Sequence, residues 1–132
     1  MSRFFKLLDG LRDSPARPVI ALLLGALMPL GLAPYNAWPV ALLALALFAH
    51  LLDGSSARHS AKLNYLFGVG LWLHGGSWLL VSMHDYGNTS WPVSLLMLGV
   101  VALVMALLFV PGGWLYGRLK LWRLSWLALP AL

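Results

Sequence analysis

The feature that most constrains this chain is where charge is missing. No Asp, Glu, Lys or Arg lies between Arg17 and Asp53, between Lys62 and Asp85, or between Asp85 and Arg118, leaving charge-free runs of 35, 22 and 32 residues. Each exceeds the roughly 18 apolar residues that mark a membrane span. With 132 residues that are 61% hydrophobic and only 10% charged, and a mean hydropathy of +0.82, a soluble domain of about 25% charged residues is excluded. The expected fold class is all-α: a polytopic helical membrane protein with four full transmembrane helices and the start of a fifth.

The chain divides into an interfacial, cytoplasmic N-terminus (1–17) and a transmembrane domain (18–132). Phe4, Leu7, Leu8 and Leu11 recur at helical spacing among Arg3, Lys6, Arg12 and Arg17, as in a helix lying in the membrane surface. A cleavable signal fits poorly, because Asp9 and Asp13 fall in the basic region and no small-x-small site follows the first apolar run. A single helix from Pro18 to Leu52 would be about 52 Å long, against a hydrocarbon core of about 30 Å. It must therefore turn, and Pro34 with Asn36 as helix cap sets the break, giving segments at 18–32 and 36–52. Pro29 predicts a kink and Pro39 a first-turn position.

Asp53 to Lys62 reads as a polar loop, followed by a third segment at 64–83 with a small-residue seam at Gly68, Gly75 and Ser82 for close helix packing. Gly68-Val69-Gly70 is no nucleotide loop, since Leu73 replaces the third glycine. A turn at 84–90 leads to a fourth segment at 91–111, opened by Trp91-Pro92 and closed by Pro111-Gly112-Gly113. The last apolar run, 124–132, covers about 14 Å, half a bilayer core. This suggests the front part of a longer protein, with a re-entrant or surface-lying tail as the alternative.

All nine Lys and Arg fall in the N-terminus, the 53–63 loop and the 112–123 loop; the turns at 33–35 and 84–90 have none. The positive-inside rule then places the N-terminus in the cytoplasm and the 84–90 turn outside. The net charge of +5 and pI near 10.1 are accounted for by these topology signals, and no nucleic-acid partner is expected.

Chemistry-bearing residues are few. There is no cysteine and no glutamate, which removes disulfides, thiolate nucleophiles and zinc-cysteine sites. His50, His59, His74 and His84 never stand three or four residues apart, so no metal site is expected, and no motif calls for a cofactor. His50 and His74 lie within spans and are read as neutral imidazoles hydrogen-bonded inside the bundle. Trp78, His84, Asp85 and Tyr86 are the candidate lipid- or substrate-side contacts. The His84-Asp85 pair either binds a headgroup amine or phosphate, or closes the turn, with Asp85 capping and Gly87-Asn88 in left-handed conformations.

Two stretches carry a resemblance. Gly31-Leu32-Ala33-Pro34-Tyr35-Asn36-Ala37-Trp38-Pro39, and the run from Gly68-Val69-Gly70 through Ser77-Trp78-Leu79-Leu80-Val81-Ser82-Met83-His84-Asp85-Tyr86-Gly87-Asn88, resemble the N-terminal membrane segment of bacterial apolipoprotein N-acyltransferases over about residues 18–117. The resemblance implies transfer of an acyl chain from a phospholipid to the N-terminal diacylglyceryl-cysteine of a lipoprotein, through a thioester, at the bacterial inner membrane. It also implies eight membrane helices and an outer nitrilase-like domain with a Glu-Lys-Cys triad. This sequence lacks Cys and Glu, so no catalytic residue can be placed on it, and the chain alone is expected to be inactive. A competing reading is a small, self-contained polytopic protein, a half-transporter or assembly subunit. That reading needs paired polar residues within the spans, and only His50, His74 and Asn64 approach the description.

Overall fold

The computed structural model describes residues 6, 9–11, 13–32 and 34–121. Of the helix expected in the first 17 residues, positions 6, 9–11 and 13 are helical and 1–5, 7, 8 and 12 lie outside the described residues; the run 124–132 lies wholly outside them. From Arg17 on, the described residues form six α-helices in order: α1 (Arg17–Leu27), α2 (Trp38–Leu52), α3 (Ala57–Gly75), α4 (Trp78–Val81), α5 (Trp91–Ala106) and α6 (Val110–Leu121). No strand occurs among the described residues. Short helical turns lie between some of them: 3-10 turns at Met28–Gly31 and Leu107–Phe109, and a π-turn at Ser82–Tyr86.

The first hairpin forms much as its prolines dictate. Pro18 and Pro39 sit in the opening turns of α1 and α2, where a missing N–H costs nothing. Pro29 tightens the end of α1 into the 3-10 turn. Asn36 does not cap α2, which begins two residues later on Ala37 without a side-chain bond. It turns the chain instead, at φ 50°, a left-handed conformation asparagine tolerates. Backbone bonds from Ala37 N to Leu30 O (2.9 Å) and Asn36 N to Leu32 O (3.0 Å) close the hairpin.

The third segment begins earlier than the polar sequence suggests and breaks sooner. Ser56 accepts from His59 N at 3.3 Å and starts α3 at Ala57, so most of the expected 53–62 loop is helix; Ala57, Arg58, Ala61 and Lys62 are good helix formers. At Gly76-Ser77 the axis bends by 45° into Trp78–Tyr86.

The fourth segment does not end at Pro111-Gly112-Gly113. Helix continues from Trp91 to Leu119 over 29 residues. Pro111 removes one backbone donor, and the chain responds locally with the Leu107–Phe109 turn. Asn64 Nδ2 then donates to Phe109 O at 3.2 Å. Gly113 meets α3 so closely that a Cβ there would stand 2.5 Å from Ser60 O. A glycine that would end a solvated helix is here the contact point between two.

α3 is the hub, packed by α1 on one side and by α5 and α6 on another. At the α1–α3 crossing, a Cβ on Gly25 would stand 1.9 Å from Phe67 O, and one on Gly70 1.9 Å from Leu22 O. The expected seam is therefore only partly right. Gly68 does face Phe109 and Ala106, and Gly75 faces Pro29, but the tightest approach uses Gly70, and Ser82 is exposed in the π-turn. Phe48 stacks on Phe67 at 4.2 Å, inside a core with Leu24, Leu51, Leu52 and Leu63.

One helix, Trp91–Leu119, is long and apolar enough to cross a membrane, and the bent pair Ala57–Gly75 with Trp78–Tyr86 is a second if taken as one span; Arg17–Gly31 and Trp38–Leu52 are shorter apolar helices. Substitution should separate the packing glycines from an idle one. Gly70→Val forces one backbone off another and is expected to cost about 3 kcal/mol or more. At Gly99 a Cβ would meet nothing within 4 Å, so Gly99→Ala should gain up to about 1 kcal/mol. Unfolding of the purified chain in detergent by circular dichroism measures both.

Candidate functional site

The candidate residues follow the bend at Gly76-Ser77, where α4 passes into the π-turn. Wide i→i+5 pairing sets Gly87 N on Ser82 O at 3.1 Å, and Thr89 N reaches Met83 O at 3.1 Å. His84 Nδ1 donates to Thr89 O at 2.8 Å, and its ring lies against the Trp91 indole at a centroid distance of 4.3 Å. The carbonyl can only accept, so the shared proton is on Nδ1. His84 thus closes the turn, in the role expected of Asp85. Gly87 keeps an ordinary φ of −87°, and Asn88 alone takes the left-handed conformation, at 49°.

Asp85 and Tyr86 are exposed, Tyr86 at 88%, and neither side chain makes a hydrogen bond or ion pair among the described residues. Trp78 points elsewhere. It lines a groove of about 260 Å³ with Tyr35, His74, Ser77, Pro29 and Pro34. So the four candidates form two groups: His84, Asp85 and Tyr86 on the turn with Trp91, and Trp78 with the hairpin. Beside the second group lies a larger apolar cleft of about 490 Å³ lined by Met28, Pro29, Leu32, Trp38, Leu71 and Trp72, among others. Pro29, Leu32 and Gly75 belong to both cavities. Sequence reasoning missed this cleft. Its one available signal was Gly75 opposite Pro29, which only the folded hairpin brings together.

His74 meets expectation: Nδ1 donates to Ala26 O, tying α3 to the end of α1. His50 differs, with Nε2 buried and unpaired among the described residues. Asn64 is 1% exposed, its amide nitrogen bound to Phe109 O and its Oδ1 unpaired among the described residues. His74 and Asn64 thus bind backbone carbonyls of different neighbours, and none of the three is hydrogen-bonded to another among the described residues. Among the described residues no group of three His, Cys, Asp or Glu could hold a metal ion.

Among the described residues the bundle is all-helical and strongly apolar, held by backbone contact at glycines, and one 29-residue helix is long and apolar enough to cross a membrane. Residues 24–132 match the sequence profile of the apolipoprotein N-acyltransferase N-terminal domain. The chain is similar to apolipoprotein N-acyltransferases from Pseudomonas paraeruginosa (45% identity over 101 residues, 76% of this chain and 20% of the relative), Azotobacter vinelandii (40% over 100 residues, 76% and 19%) and Vibrio cholerae (38% over 119 residues, 88% and 24%). It belongs to the apolipoprotein N-acyltransferase family, and spans about a fifth of the length of these relatives.

The two residues of the turn should separate in a stability measurement. His84→Ala removes the bond to Thr89 O and the Trp91 contact, for an expected loss of about 1–2 kcal/mol. Asp85→Ala should stay within about 0.5 kcal/mol of the parent. Urea titration of the detergent-solubilised chain tests the pair.

Proposed function

We propose that these residues form the front part of the membrane domain of an enzyme that moves an acyl chain from a phospholipid to the N-terminal diacylglyceryl-cysteine of a lipoprotein, in the bacterial inner membrane. Family membership carries this reading. Residues 1–17 are the cytoplasmic, interfacial N-terminus and 18–132 the transmembrane domain. In this reading four segments cross the bilayer: the two short helices of the first hairpin, the bent third segment and the long fourth one. The Lys/Arg asymmetry supports an inside N-terminus and an outside 84–90 turn. Position 56 and position 88 report the two sides, and the absence of native cysteine makes the experiment clean. Ser56→Cys should resist an impermeant thiol reagent in intact spheroplasts while Asn88→Cys is labelled; the reverse pattern overturns the topology.

The chemistry belongs outside these 132 residues. Thioester acyl transfer needs a thiolate nucleophile and a carboxylate base beside an oxyanion-stabilising cation, and Cys and Glu are absent here. What this segment supplies is a scaffold and a lipid-side border, with Trp78, His84, Asp85 and Tyr86 facing the phospholipid donor and lipoprotein acceptor. An acyl-transfer assay with phospholipid and a diacylglyceryl-peptide tests both halves. The purified chain should give neither acyl-enzyme nor product, a total loss and not a partial one. In the full-length protein carrying this segment, Asp85→Ala should slow transfer without lowering protein level; turnover by the isolated chain would contradict the assignment.

A further inference from the structure

The opposite end of the bundle carries cations that the proposed chemistry does not use. Gly117 of α6 lies so close to the first residue of α3 that a Cβ there would stand 2.5 Å from Ala57 Cα. That contact places Arg118 at the same end as Arg58 and Lys62, which follow within α3's first two turns, and all three are exposed. Between them lies half-buried His59, close enough to Arg17 and Lys62 to feel both charges. Arg17 itself donates to Leu51 O, Asp53 O and Ser55 Oγ, closing the end of α2. Among the described residues the acids on this side of the chain are Asp9, Asp13 and Asp53, and none of them lies in α3 or α6, the helices that carry Arg58, Lys62 and Arg118.

Arg118 is held in a particular way. Its guanidinium lies over the Trp114 indole, 4.5 Å from the ring centroid. A stacked guanidinium keeps its N–H edge free for a planar pair of oxygens, the geometry that suits phosphate. Trp114, Leu115, Arg118 and Leu119 line a groove of about 180 Å³. From it an apolar stripe descends the same helix face through Leu115 and Leu108 to Val104, spaced seven and four residues apart and exposed at 43%, 72% and 52%. Eleven residues of helix are about 17 Å, so a cationic head position continues into an apolar track along one helix.

We propose that this end of the bundle binds an anionic phospholipid: its phosphate sits on Arg118 with Arg58 and Lys62 beside it, and one acyl chain follows Leu115, Leu108 and Val104. Charge selects the headgroup and the stripe selects a lipid over a free anion. The inference rests on the reading that these helices lie in a bilayer, and its site is distinct from the His84 turn.

The test is native mass spectrometry of the 132-residue chain released from nanodiscs of equal phosphatidylglycerol and phosphatidylcholine. The parent should retain phosphatidylglycerol over phosphatidylcholine by about tenfold. Arg118→Gln should cut that preference about fivefold and the triple change Arg58→Gln, Lys62→Gln, Arg118→Gln should abolish it, while Lys62→Arg leaves it intact. Circular dichroism confirms that the exposed substitutions leave the helices folded. Added glycerol phosphate, a headgroup without chains, should not compete. Equal retention of both lipids by the parent, an unchanged preference in the triple variant, or displacement by glycerol phosphate each overturns the proposal. Failure of the bilayer reading looks different, because the chain would then not enter the discs at all.

Discussion

Backbone contact between α1 and α3 is the constraint on which the rest of the bundle depends. In a lipid environment burying leucine gains little, since lipid tails are as apolar as side chains, and close van der Waals packing must take over. Gly25 against Phe67 O and Gly70 against Leu22 O put two main chains in direct contact, at a separation where weak Cα–H···O attraction contributes. Because the same turns of α3 carry Phe67 and His74, this crossing also sets the Phe48 stack and the reach of His74 to Ala26 O. Moving it by even one side-chain thickness would undo all three.

Three polar side chains inside the bundle share one task, while His50 Nε2, Ser60 Oγ and Ser94 Oγ are buried without a partner among the described residues. Asn64 reaches a carbonyl beside the Pro111 interruption, His74 one at the Pro29 turn, and Arg17 one at the last turn of α2. At the Pro29 turn and the end of α2 a proline or a helix end leaves main-chain oxygens without their usual donor, and Phe109 O lies at the close of the 3-10 turn that precedes Pro111. An unmet carbonyl in an apolar interior is expensive. Each of these residues therefore acts as a stitch across a break in helical pairing, which leaves little reason to read them as a transport pathway.

How much of this is legible in the sequence follows from where the deciding information sits. Charge-free runs and the Pro34–Asn36 break depend on local composition, and with the Met28–Gly31 turn counted as the end of its first arm the hairpin agrees with expectation to within two residues at its edges. Whether Pro111-Gly112-Gly113 ends a helix does not depend on those residues alone: Gly113 is held helical because Ser60 and Asn64, about fifty residues earlier, occupy the space its side chain would need. The early start of α3 is hidden by polarity, as Arg58 and Lys62 look loop-like only when hydropathy is the sole guide. At the site, the sequence marks the 84–90 turn but not its fastening, since His84 rather than Asp85 reaches across it. The apolar cleft beside Trp72 is invisible there, because its walls come from three separate helical segments.

The unbroken helix from Trp91 to Leu119 has a geometric consequence. Twenty-nine residues rise about 43 Å, about 13 Å more than a hydrocarbon core of about 30 Å. Absorbing that mismatch by leaning alone would need a slope of about 45°, beyond the roughly 0–40° that membrane helices adopt. Part of the excess must emerge as an overhang, and Trp114 and Arg118 mark the end suited to it. In the proposed bilayer placement the last turns of this helix ride among the headgroups as a rigid stalk, so a change in bilayer thickness would be felt as a change in the height of that stalk.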